Sequence, residues 1–91
     1  MKLWKTAELL QEAINLVTGE RARQHGDLLG NHQNIARLWS AYLKTEITAP
    51  QVAMMMALLK IARTGTGAYN ADDFTDAAAY ACISGELRGG K

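Results

Sequence analysis

Apolar residues recur along this chain at helical spacing, and nowhere do they alternate with polar ones for long enough to predict a strand. Four helical segments follow from the pattern. The first runs from about Thr6 to Val17, with Leu9, Leu10, Ala13, Ile14 and Val17 along one stripe, and stops at Gly19. The second follows Asn31, a residue type that caps helix N-termini, and carries Ile35, Leu38, Trp39 and Tyr42 at i, i+3, i+4 and i+7. The third has the clearest start. Thr48 can cap it, Pro50 suits its first turn, and Gln51 completes a Thr-x-x-Gln capping box. From Val52 to Leu59 it is apolar all round, which predicts a buried central helix, and Gly65 and Gly67 end it. The fourth begins near Asn70, with first-turn acids favoured by the positive end of the helix dipole, and runs to about Leu87. Its Ala77, Ala78, Ala79 and Ala81 offer a thin surface that another helix can approach closely. A polar loop, Gly19 to Gly30, separates the first two helices.

Ninety-one residues, taken as a single helical domain over 1–91, bury only roughly 60–65% of their unfolded surface. A core this small, an all-round apolar helix and an alanine face together predict an all-α, compact four-helix arrangement completed by homo-oligomerisation. The net charge of +1 supplies no strong field for nucleic acid or an anionic membrane. Cys82 is the only cysteine, so no disulfide can form within the chain. The opening Met-Lys-Leu-Trp-Lys has no apolar signal core. The longest uncharged stretch, Ile47 to Leu59, is well short of the roughly 20 residues that span a bilayer. A soluble cytoplasmic protein is the expectation.

The chemistry concentrates in three places. Lys60 and Arg63 lie one turn apart at the end of the third helix, and Asp73, Asp76 and Tyr80 follow at i, i+3 and i+7 on the fourth. Charges beside an apolar core either pair with each other or await a charged ligand. An Arg63–Asp76 ion pair is therefore expected, with Asp73 as the other available acid. Alternatively, Lys60 and Arg63 form a phosphate or carboxylate clamp, the guanidinium binding bidentately and the ammonium as a point charge. Asp73 and Asp76 could also be half of a magnesium site, though Glu8 and Glu12 do not supply the matching second pair and the second helix holds no acid between Asn31 and Lys44. Arg21, Arg23 and His25 in the loop form a possible anion-binding hook beside Gly26. Met54, Met55 and Met56 read as core filler or oligomer contact, and Trp39 and Tyr42 as core or as a surface for stacking on a base.

With these residues placed, the chain resembles a small family of uncharacterised phage and prophage proteins. The resemblance rests on Arg23-x-x-Gly26, then Asn31 followed by Ile-Ala-x-Leu-Trp39-Ser-Ala-Tyr42-Leu, then Met-x-x-Leu-Leu-Lys60-x-x-Arg63 and Asp73-x-x-Asp76-x-x-x-Tyr80. Family members more often carry Tyr where this chain has His25. The same order of features is similar to a nucleotide-modification-associated phage domain and, more distantly, to the all-helical MazG-like and dUTPase-like pyrophosphohydrolases, whose Glu-x-x-Glu half-site is missing here. The resemblance implies a phage setting inside a bacterial host and a link to nucleotides.

Three functions follow as expectations. The first is a binder that sequesters a nucleotide or nucleotide-derived signal without turnover, a counter-defence activity, using Arg21, Arg23, His25, Trp39, Lys60, Arg63 and Tyr80 and needing no cofactor. The second is a magnesium-dependent pyrophosphohydrolase built on Asp73 and Asp76. The third is a structural or inhibitory module that binds another protein through its methionine-rich or aromatic surface.

Overall fold

A computed structural model describes residues 4–19 and 27–90. It holds four α-helices, α1 (Thr6–Thr18), α2 (Leu28–Leu43), α3 (Ala49–Arg63) and α4 (Ala71–Gly89), and no strand among the described residues. None of these helices is long and apolar enough to cross a membrane.

Three of the four helices begin and end where local chemistry places them. At α1 the Lys5 backbone N–H donates to Glu8 Oε1 at 2.8 Å, and Gly19 closes the helix by donating to the Asn15 carbonyl. At α3 the capping box forms in both directions: the Gln51 N–H donates to Thr48 Oγ1 at 3.3 Å and the Thr48 N–H to Gln51 Oε1 at 2.9 Å. At α4 the Asp72 N–H donates to Asn70 Oδ1 at 3.0 Å. Tyr69, just before that cap, stacks on Phe74 with ring centroids 5.7 Å apart, a hydrophobic staple that sets the angle at which the chain enters α4. Gly67, at φ +70, supplies the left-handed step in the turn between α3 and α4.

The second helix departs from expectation. It starts at Leu28 with Asp27 at its N-cap, a full turn before Asn31. Asp27 makes no side-chain capping bond there, and a Cβ at Gly30 would lie 2.6 Å from its carboxylate oxygen. Glycine lets the capping residue sit against the first turn, and Asn31 becomes a helix-face residue. At the other end Lys44 takes the left-handed conformation. Ser40 then fastens the connection, its hydroxyl accepting from the Ile47 N–H at 2.8 Å and donating to the Ile47 carbonyl at 3.2 Å.

α3 and α4 form the main antiparallel pair, α1 packs on α4, and α2 packs on α3. The pair is drawn close by small residues. Ala49, Ala53 and Ala57 are buried on α3 and Ala79 on α4, and the Ser84 hydroxyl donates across the pair to the Pro50 carbonyl at 2.7 Å. Val52 and Thr75 are the largest side chains fully buried among the described residues.

This core corrects the expected burial of α3. Only its alanine and valine side is covered, while Met54, Met55, Leu58, Leu59 and Ile61 face outward. The stripes of α1 and α2 are also partly open, with Leu10, Ile14, Val17 and Leu38 exposed. Tyr42, expected in the core, is 86% exposed. The reason is steric. Helices that approach through alanine leave no room between them for leucine or methionine, so the large side chains turn away.

Candidate functional site

The antiparallel α3–α4 pair decides how the charged residues meet. Lys60 and Arg63 point along one face of α3, and Asp73 and Asp76 along the facing side of α4, both sets one turn apart. Lys60 Nζ lies 3.2 Å from Asp76 Oδ2, and Arg63 Nε lies 3.4 Å from Asp73 Oδ1. The expected Arg63–Asp76 pair is therefore replaced by two parallel rungs. Antiparallel helices bring the end of one beside the start of the next, so Arg63 meets the earlier acid and Lys60 the later. The rungs differ in environment: both members of Lys60–Asp76 are largely covered, whereas Arg63 keeps 55% of its side-chain surface beside a 9% exposed Asp73.

A double-mutant cycle should read this register directly. Coupling of roughly 0.5–3 kcal/mol in urea unfolding is expected for Lys60 with Asp76 and for Arg63 with Asp73. For Arg63 with Asp76 it should stay below about 0.5 kcal/mol. Strong coupling only in that last cycle would refute the observed pairing.

The Lys60–Asp76 rung forms part of the wall of a groove of about 780 Å³ between the four helices. Its walls are largely apolar, from Leu16 and Val17 on α1, Leu28 and Ile35 on α2, Val52 and Met56 on α3, and Ala79 and Ile83 on α4. Polar groups converge on it from two sides. α3 and α4 bring Lys60, Asp76, Tyr80 and Glu86, and the first turns of α2 bring Asn31, His32 and Asn34. Cys82, exposed on α4, also lines it.

His32 has a fixed role in this wall. It is buried, and its Nδ1 lies 2.9 Å from the Leu28 carbonyl, which can only accept. Nδ1 therefore carries the proton, and in the neutral ring Nε2 is a lone-pair acceptor. No nucleophile spaced from His32 gave a sequence reason to single it out; its bond reaches back one helical turn and exists only because α2 begins at Leu28. Asn31, first read as a cap, instead lines the groove from the first turn of α2. Asn34 sits one turn further along the same face.

Of the residues expected to bind a ligand, Lys60 and Tyr80 line the groove, together with Asp76. Arg63 and half-buried Trp39 do not line the groove. Arg21, Arg23 and His25 lie outside the described residues. Asp73 and Asp76 each face a cation, and among the described residues no cluster of three or more His, Cys, Asp or Glu side chains has metal-binding geometry.

Beside the Glu86 carboxylate and the Cys82 thiol, the groove offers four kinds of contact. Lys60 is a point charge with three donors, of which Asp76 takes one. Tyr80 offers a phenol and an aromatic face. Asn31 and Asn34 offer amides that both donate and accept, and His32 offers an acceptor of fixed orientation. A small molecule bearing an anionic group, a planar ring and hydrogen-bonding edges matches this set.

Comparison with known proteins gives a family. The profile described as Domain of unknown function (DUF6378) matches residues 8–88. The chain is 45% identical over 76 residues to the Gene 55 protein of Mycobacterium phage L5, covering 82% of this chain and 49% of that protein. It is 48% identical over 77 residues to the Gene 55 protein of Mycobacterium phage D29, covering 82% of this chain and 50% of that protein. The chain thus spans about half the length of the curated relatives it matches. No solved structure matches it.

Proposed function

The chain belongs to the DUF6378 family of phage proteins, and we propose that it binds a nucleotide-like, phosphate-bearing small molecule in the four-helix groove without turning it over. The observation that carries this reading is the convergence of Lys60, Tyr80 and the Asn31–His32–Asn34 turn on one largely apolar groove of about 780 Å³. That volume lies within the roughly 300–1,000 Å³ range of small-molecule sites, and a few placed polar groups on apolar walls is their usual composition. Lys60 holds the phosphate while Asp76 keeps its ammonium aimed into the groove. Tyr80 lies beside the base, and the amides and His32 Nε2 read the polar edge of the base or sugar. In an infected bacterium the consequence would be withdrawal of a nucleotide or nucleotide-derived signal, including one that serves host defence.

Binding is favoured over hydrolysis because Asp73 and Asp76 are engaged with Arg63 and Lys60. A carboxylate held by a cation at this range is poorly placed to share itself with a magnesium ion as well.

Calorimetry against nucleoside triphosphates and cyclic oligonucleotides, with magnesium and with chelator, tests the proposal. Saturable binding that survives chelation, with the ligand recovered intact, is the expected result. Magnesium-dependent release of pyrophosphate, lost in Asp76→Asn, would replace the binder with the pyrophosphohydrolase suggested by the MazG-like resemblance. No heat with any ligand would overturn the nucleotide reading.

A further inference from the structure

The amphipathicity of α3 is inverted in size. Its covered side consists of alanine, valine and the stem of Lys60, while its larger apolar side chains face water: Met54 is 42% exposed, Leu58 57% and Ile61 53%. These three and Gln51 are spaced by three, four and three residues, the repeat of a helix–helix seam, with Met55 and Leu59 beside them. Such a row on an isolated chain leaves large apolar area in water with no return.

From these observations we infer that a second copy of this chain covers the outer face of α3, forming a two-fold homodimer centred on Leu58. The chemistry of the row favours a copy of itself. A two-fold interface sets each patch against its own duplicate, so a charge near its centre meets the same charge. From Ala49 to Leu59 no residue of α3 is charged, and Lys60 and Arg63 are turned to Asp76 and Asp73 on the other side of the helix. Met54 and Met55 are unbranched and flexible, able to fill the gaps that arise when a surface packs on itself. The dimer leaves the groove open, because Val52, Met56 and Lys60 line it from the opposite side of α3. The inference is therefore independent of what the groove binds.

Sedimentation equilibrium of the full chain at micromolar concentration is the test. A species of twice the 9.9 kDa chain mass is expected. Leu58→Glu should place a pair of like charges at the centre and weaken association by at least about a hundredfold while the helical circular dichroism is retained. Leu38→Glu, on the exposed side of α2, should leave the dimer intact. A folded wild-type monomer, a Leu58→Glu protein that stays dimeric, or dissociation by Leu38→Glu would each overturn the inference. Should Leu58→Glu fail to fold, Leu58→Cys in a Cys82→Ser background decides: mild oxidation should link the two copies through residue 58, and no crosslink would refute the interface.

Discussion

Replacing Ala57 with leucine is expected to lower the thermal midpoint by more than about 10 °C, through a loss of roughly 3 kcal/mol. Ala57 is buried and lies four and seven residues from positions that share its face, Ala53 and Pro50. That face meets α4, because the Pro50 carbonyl accepts from Ser84 across the pair. The three extra carbons of leucine have nowhere to go unless the helices part. Parting them would stretch the 2.7 Å Ser84 bond and both ion-pair rungs, so the penalty should sit at the upper end of the overpacking range. Leu38→Ala, at an exposed position, should change stability by less than about 0.5 kcal/mol. Thermal unfolding followed by circular dichroism measures both. A tolerated leucine at 57 would mean that the alanine contact does not hold the pair together.

The Lys60–Asp76 rung carries the second large effect, on ligand affinity. Lys60→Ala is expected to weaken nucleotide binding by about ten- to a hundredfold, the usual worth of a charge-assisted hydrogen bond in a partly dry site. Two causes act together: the ammonium is lost, and the Asp76 carboxylate is left facing the phosphate without its counter-charge. Asp76→Asn should act in the opposite direction. It removes the negative charge that competes for Lys60, while the amide oxygen still accepts from the ammonium and keeps it aimed, so affinity should rise severalfold. Calorimetry on the two variants supplies the comparison. If Asp76→Asn abolished binding, Asp76 would be a ligand contact or metal ligand in its own right, and the role given to it here would be wrong.

What was legible in the sequence was local. The Thr48–Gln51 box, the Asn70 cap and the Gly19 stop each depend on residues within four positions of one another, and all three form. The start of α2 was harder because Asp27 and Asn31 are both good capping residues. Asp27 takes the N-cap position without a side-chain capping bond, so capping preference alone does not separate them. Register between helices was not legible. Two cations and two acids, each pair one turn apart, can be matched in more than one way, and the antiparallel packing selects the rungs. The orientation of α3 was hidden for a different reason. A helix apolar all round has no polar side to show which way it faces, and the usable signal was size, small Ala53 and Ala57 inward and large Leu58 and Ile61 outward. Of the candidate site, Lys60, Asp76 and Tyr80 could be read from spacing along two helices. Asn31, His32 and Asn34 could not, since they reach the groove only through the packing of α2.

The central claim is that one groove gathers these residues around a nucleotide-like ligand. Its most direct test is a titration of isotope-labelled protein with nucleoside triphosphates and cyclic oligonucleotides in chelator, followed by nuclear magnetic resonance. Saturable shifts centred on Asn31, His32, Asn34, Lys60, Asp76 and Tyr80 for at least one ligand are the expected result. Shifts confined to Met54, Leu58 and Ile61 on the outer face of α3, or none with any ligand, would contradict it.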